Sequence, residues 1–221
     1  MEFTPIPRVK ICCISTVEEA RLAVKYGAAA VGLVGPMPSG PGIIPDERIR
    51  EIAAAVPPPV ATFLLTSEVE PVRIIEHYRR TRTNTIQLVD RLAPGAHQAI
   101  RAELPGVKLV QVIHVQDEGA IAEALEAAAH VDALLLDSGN PNLAVKELGG
   151  TGRIHNWEIS AAIRRQVALP IFLAGGLTPE NVGQAIATVG PFGVDVCSGV
   201  RNQGKLDLGR LKRFFAAVRS E

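Results

Sequence analysis

Eight times along its length the chain alternates a short run of β-branched and apolar residues with a longer segment of helical period. Parallel βα units require that rhythm, because a strand buried on both faces needs a helix to cover it before the next strand can pair. The strands are predicted over 9–13, 30–34, 60–65, 85–88, 108–112, 133–137, 171–174 and 195–197. Helices are predicted over 17–26, 46–55, 69–80, 95–103, 119–128, 157–166, 179–188 and 207–219, with Thr16 or Thr178 as N-caps and Pro179 in a first turn. The units recur roughly every 20 to 30 residues with no linker between them, since Pro57-Pro58-Pro59 suffices only to stop a helix before a strand. The expected fold class is α/β, a single (β/α)8 TIM barrel over 1–221; an open doubly wound sheet fits the even spacing less well.

Hydrophobic residues make up 47% of the chain, enough for a sizeable core. Lys+Arg and Asp+Glu both number 23, so no net field draws the protein to nucleic acid or an anionic membrane, and a small partner is expected. Residues 1–10 do not read as a signal peptide and no apolar run reaches the length of a membrane span, which makes a cytoplasmic location the expectation. The cysteines, Cys12, Cys13 and Cys197, are odd in number and lack metal-ligand spacing. Free thiols are expected, with no zinc and no other dedicated metal site, since HExxH, CxxC and clustered carboxylates are absent.

Two strands end in glycine: Ile171-Phe172-Leu173-Ala174-Gly175-Gly176 and Val194-Asp195-Val196-Cys197-Ser198-Gly199. Where a strand hands over to a helix, such glycines leave backbone N–H groups open to an anion, and the loops after the last two barrel strands are the usual phosphate site. The segments 35–45 and 138–156 are long loops that follow strand C-termini and so belong to the same rim, where long loops serve as lids or binding loops. The second contains Gly149-Gly150-Thr151-Gly152, which is no Walker loop because Arg153 and Ile154 stand where Lys and Ser/Thr are needed.

Asp137 closes the apolar run Leu134-Leu135-Leu136, and Cys12 ends the first strand. A carboxyl between apolar walls is raised toward the range of a general acid, and a thiolate is a competent base. The residues alone also allow Asp137 to be a loop cap and Cys12 a small buried hydrophobe. Cys13 is expected on the opposite face, against the helices. Lys10 shares the Cys12 face and Asp195 lies in the strand that closes the barrel beside it, so the two are candidates for a buried pair, or either faces solvent. His114 reads as a wall residue more readily than as a proton shuttle, His155 ends a rim loop near any ligand, and His77, His97 and His130 are expected to face water.

In order along nearly the whole chain, Val9-Lys10-Ile11-Cys12, Gln87-Leu88, Leu134-Leu135-Leu136-Asp137, Gly149-Gly150-Thr151-Gly152 with Trp157, Gly175-Gly176-Leu177-Thr178-Pro179-Glu180-Asn181-Val182 and Val194-Asp195-Val196 with Ser198-Gly199-Val200 resemble phosphoribosylanthranilate isomerase, a tryptophan-pathway family. The resemblance implies a (β/α)8 barrel that carries out an Amadori rearrangement of N-(5-phosphoribosyl)anthranilate without metal or organic cofactor. It implies Asp137 as general acid, Cys12 as general base, and a phosphate on the Gly175-Gly176 and Ser198-Gly199 loops, with Gly150 and Gly152 approaching the substrate. Lys10, Arg153, Asp195 and Arg201 are further candidate contacts, and the protein is expected to be a monomer or homodimer.

The chain departs from the family pattern in specific places. Gly42 aligns with the arginine that meets the anthranilate carboxylate, Val89-Asp90 replace His-Gly, Cys13 replaces the glycine after the cysteine, and Arg201 replaces a glutamate. Arg201 or Arg153 is the expected substitute cation. The other readings are a paralogue acting on another sugar-phosphate-like metabolite, and a silent barrel that only binds one or a protein partner; retention of Cys12 with Asp137 speaks against silence.

Overall fold

A computed structural model describes residues 6–150 and 152–220. Eight parallel strands close on themselves in sequence order: β1 (Arg8–Ile11), β2 (Ala30–Val34), β3 (Ala61–Thr66), β4 (Thr85–Leu88), β5 (Lys108–His114), β6 (Ala133–Asp137), β7 (Ile171–Leu173) and β8 (Gly193–Val196). The helices between and after them are α1 (Val17–Tyr26), α2 (Asp46–Ala55), α3 (Pro71–Thr81), α4 (Ala96–Glu103), α5 (Gly119–Ala128), α6 (Trp157–Gln166), α7 (Val182–Val189) and α8 (Leu208–Arg219). The predicted (β/α)8 barrel is the observed fold. No helix among the described residues is long and apolar enough to cross a membrane.

Strand parity sorts the side chains into two cores. Ile11, Leu33, Leu64, Ile86, Leu134 and Leu173 point outward to the helices and meet Ile49, Ile74, Ile100 and Phe214. Phe63, Leu65, Val112, Leu135 and Phe172 fill the interior, where the Phe63 and Phe172 rings meet edge to face at 5.8 Å. A leucine at either parity is buried, which is why the strands read as continuous apolar runs.

Helix starts follow capping chemistry in part. Thr16 Oγ1 accepts the Glu19 N–H at 3.1 Å and starts α1 as predicted. α7 begins three residues later than predicted, because Asn181 folds the Thr178-Pro179-Glu180 segment into a turn: its Oδ1 accepts the Thr178 N–H at 2.8 Å and its Nδ2 donates to the Gly176 carbonyl at 2.9 Å. His77 and His97 correct the expectation that they face water. His77 is 2% exposed, with Nδ1 2.9 Å from Thr66 Oγ1 and Nε2 3.1 Å from Asp46 Oδ1. His97 is buried with Nε2 3.2 Å from Gln111 Oε1, so both histidines bridge a helix to its neighbours.

The barrel closes where β1 pairs with β8, Lys10 opposite Asp195. Lys10 Nζ stands 2.9 Å from Asp195 Oδ2 and 5.2 Å from the centre of the Phe63 ring, and Lys10 has no exposed surface. Burial works against the ammonium, but the Asp195 carboxylate outweighs it and holds Lys10 above its ordinary pKa. Gly32 of β2 makes the room: a β carbon there would lie 3.0 Å from Lys10 Nζ and 2.8 Å from Cys12 Sγ. The candidate pair of the sequence is thus a buried ion pair.

A second link spans the same seam. Beyond β8, a short hairpin of Arg201–Asn202 and Lys205–Leu206, not foreseen from the sequence, docks on α1 through Glu19. Glu19 Oε1 accepts from Arg201 Nη1 at 3.0 Å and from the Leu206 N–H at 2.9 Å, and Oε2 accepts the Ser15 N–H at 3.0 Å. Burial pushes the Glu19 carboxyl up, and these donors overcome it, leaving its pKa below the usual value.

Two outcomes follow from these pairs. Asp195→Ala leaves the Lys10 charge buried and alone and should cost about 3–5 kcal/mol in urea unfolding, whereas Lys10→Met with Asp195→Leu should lie near wild type; an undiminished Asp195→Ala variant refutes the pair's role. Glu19→Gln should lose about 1–3 kcal/mol at neutral pH. Because the folded state holds this carboxylate ionised more strongly than the unfolded state, its contribution is present above the unfolded pKa and lost as pH falls through the folded one, so the gap to wild type should close in acid.

Candidate active site

β1 stops at Ile11, and the next two residues enter a pocket at the C-terminal ends of the strands. Cys12 keeps to the strand path, its N–H donating to the Val196 carbonyl at 2.9 Å. Cys13 turns, with φ 60°, into the left-handed region where a β carbon is crowded. Arg201 holds the turn: its Nη2 donates to the carbonyls of Cys12 at 3.0 Å and Cys13 at 2.6 Å. The expectation that Cys13 packs against the helices is corrected, since the strand is not regular there and both cysteines line the pocket.

Asp137, the last residue of β6, lines the same pocket as Cys12. Its Oδ1 accepts the Ser138 N–H at 2.7 Å. The backbone of the long sixth loop passes close over its other oxygen, since a β carbon on Gly149 would lie 2.9 Å from Asp137 Oδ2. His155, at the end of that loop, is buried with Nε2 2.7 Å from Ser160 Oγ, and its Nδ1, beside Gly175, has no hydrogen-bond partner among the described residues. Burial lowers its pKa although Asp137 pulls the other way. His114, opposite Asp137 in register, uses Nε2 to donate to the Val89 carbonyl at 2.9 Å and stands in the wall outside the pocket lining.

Gly150, Gly152, Gly175, Gly176 and Ser198 all line the pocket, and the four glycines have positive φ. Thr151 lies outside the described residues. Gly199 does not line it: a β carbon there would fall 2.0 Å from the Leu177 carbonyl, so Gly199 lets the turn after β8 press against the loop after β7. Asn181 fixes that loop from beneath, which gives the Thr178-to-Val182 motif a structural duty.

Of the charged candidates, Asp195 reaches the pocket, whereas Lys10 lies sealed beside it. Asp195 Oδ1 and Gln87 Oε1 both line it and find no hydrogen-bond donor among the described residues. Arg201, expected as a substitute cation, is buried behind the Cys12 and Cys13 carbonyls and paired with Glu19, so it does not face the pocket. Arg153 pairs with Glu147, and its backbone packs on Gly176, in the loop after β7 and not at Gly42. Cys197 was not singled out, although its spacing of two from Asp195 puts it on the same strand face.

Gly42 and Cys13 touch. A β carbon on Gly42 would lie 2.5 Å from Cys13 Cβ and 3.0 Å from Cys13 Cα, and Gly42 has φ 81°. With Cys13 in place, position 42 has room only for glycine, so the two residues are one packing unit. The loop that carries Gly42 meets the sixth loop, where Ser39 Oγ donates to the Lys146 carbonyl at 2.5 Å and Pro41 packs on Gly150.

Comparison with known proteins agrees with this architecture. The profile of the family described as N-(5'phosphoribosyl)anthranilate (PRA) isomerase matches residues 9–217. The chain is 36% identical over 213 residues to the N-(5'-phosphoribosyl)anthranilate isomerase of Methanocella arvoryzae, covering 96% of this chain and 98% of that protein. It is 36% identical over 215 residues to that of Haloferax volcanii, covering 96% and 93%. Among solved structures it superposes on the phosphoribosyl anthranilate isomerase of Thermococcus kodakaraensis with TM-score 0.81 and 30% identity, covering 98% of this chain and all of that one. A phosphoribosyl anthranilate isomerase crystallised with reduced 1-(o-carboxyphenylamino)-1-deoxyribulose 5-phosphate matches with TM-score 0.80 and 29% identity, covering 97% of this chain and all of that one. With its profile matched almost from end to end and its barrel shared, the chain belongs to the phosphoribosylanthranilate isomerase family.

Proposed function

We propose that this protein catalyses the Amadori rearrangement of N-(5-phosphoribosyl)anthranilate to 1-(2-carboxyphenylamino)-1-deoxyribulose 5-phosphate, an aldose-to-ketose isomerisation. The observation that carries the proposal is the convergence of Cys12, Asp137 and the loops of Gly175, Gly176 and Ser198 on one pocket. The glycine loops bind the phosphate through backbone N–H groups. Asp137 protonates the ribose ring oxygen as the C1–O bond breaks, and the opened sugar becomes a Schiff base. The Cys12 thiolate then removes the C2 proton, giving an enolamine that tautomerises to the ketone. One proton has moved from Asp137 to Cys12 through the substrate, and exchange with solvent returns it for the next turnover. Gln87 Oε1 and Asp195 Oδ1, both lacking donors, accept from the sugar hydroxyls.

The reading carries its own setting. A phosphorylated, charged substrate of this kind is kept in the cytoplasm, and the enzyme acts there as a monomer or homodimer. At the anthranilate end the arginine is absent, and the loss of a charge-assisted contact raises KM by an amount corresponding to about 1.5–3 kcal/mol. The substrate carboxylate is then left largely to water.

Following the loss of substrate fluorescence tests the chemistry. Wild type should turn over, and Cys12→Ala and Asp137→Ala should each lower kcat by roughly a hundredfold to ten-thousandfold with thermal unfolding little changed. Absence of turnover by wild type sinks the proposal, and turnover indifferent to both changes sinks the roles. For the other end, Gly42→Arg should destabilise strongly in the presence of Cys13 and much less in a Cys13→Gly background, with a coupling of about 1–3 kcal/mol. Additive effects would show that the two positions are independent.

A further inference from the structure

The third cysteine has no part in the proposed chemistry, and neither does the second. Cys197 Sγ lies 2.7 Å from Cys13 Sγ. That is well inside the ~3.5–4.0 Å optimal for non-bonded heavy atoms and a fraction of an ångström beyond the ~2.05 Å of a disulfide. Cys13 is held from two sides, by Arg201 on its carbonyl at 2.6 Å and by the Pro41 carbonyl 3.6 Å from its sulfur. Cys197 is partly exposed, and both line the pocket, so a small oxidant has access. We infer that Cys13 and Cys197 are a modification site, a dithiol that a hydroperoxide converts reversibly to a disulfide joining the turn after β1 to the turn after β8.

The pair is chemically polarised. The thiol of Cys12, that of Cys197 and burial push Cys13 up, whereas the Cys13 sulfur beside it and the nearby Arg201 guanidinium bring Cys197 down against burial. Cys197 is also the more exposed of the two sulfurs, so it is the one that an oxidant meets first and that attacks as the thiolate. It takes the terminal oxygen of the hydroperoxide, the O–O bond breaks, and the alkoxide leaves as an alcohol after gaining a proton. The Cys13 sulfur then attacks the sulfenic sulfur; the S–S bond forms, the S–O bond breaks, and hydroxide departs as water with the Cys13 proton. Two electrons pass from two thiols to one hydroperoxide, and an external dithiol returns them. Cys12 is excluded as Cys13's partner because adjacent Cα atoms lie about 3.8 Å apart, closer than the ~4.4–6.8 Å that disulfides span.

Thiol counting tests this on the intact protein, independently of any isomerase activity. Reduced protein denatured with N-ethylmaleimide should take up three equivalents, one for each cysteine in the sequence. After hydrogen peroxide it should take up one, and dithiothreitol should restore three. A non-reducing peptide map should find Cys13 joined to Cys197 with Cys12 alkylated. Cys197→Ser, treated alike, should form no intramolecular link. The inference is overturned if the map joins Cys12 to either residue, if links form only between molecules, or if peroxide yields sulfinic or sulfonic acids without a link. Should the variant fail to fold, the wild-type map decides alone.

Discussion

A charge placed inside a barrel has no partner except one the barrel itself supplies, and here Lys10 is fully enclosed with Asp195 as its ion-pair partner. The pair fixes which strands meet at the seam and in what register, because a shift of one residue would turn both side chains toward the helices. Everything that reaches the pocket from this side depends on that register. Cys12 is two residues beyond Lys10, Cys197 two beyond Asp195, and Gly32 on the neighbouring strand has given up its side chain to make space.

Cys13, Arg201 and Gly42 form one linked group beside the same seam. Cys13 occupies a turn that a glycine would adopt without strain, and Arg201 holds that turn by its carbonyls while pairing with Glu19 of α1. Gly42 yields to the Cys13 side chain. Cys13 therefore limits the size of the residue at position 42, in the loop after β2. Gly175, Gly176 and Ser198, which the proposed function assigns to the phosphate, line the same pocket.

Much of the fold was legible because parallel strands covered on both faces leave runs such as Leu134-Leu135-Leu136 that allow few other readings. Boundaries were less so: β5 extends to His114, and α7 waits for Asn181, both decided by contacts that no local pattern carries. In the site, Asp137 stood out as a carboxylate ending an apolar strand, and Cys12 gained its role from the resemblance. The turn at Cys13 was hidden, because it depends on a guanidinium 188 residues away. The burial of His77 was hidden for a like reason, its partners Thr66 and Asp46 lying on other elements.

The links across the seam also bear on how the chain comes into being. Lys10 and Asp195 are 185 positions apart, and Glu19 and Arg201 are 182 apart. As the polypeptide leaves the ribosome, the first βα unit emerges with an ammonium that must remain in water and a carboxylate without its cation. Both stay so until the last strand of the barrel has been made. The contacts that close the barrel are thus among those of greatest separation in the sequence, and they form only after seven strands have left the ribosome.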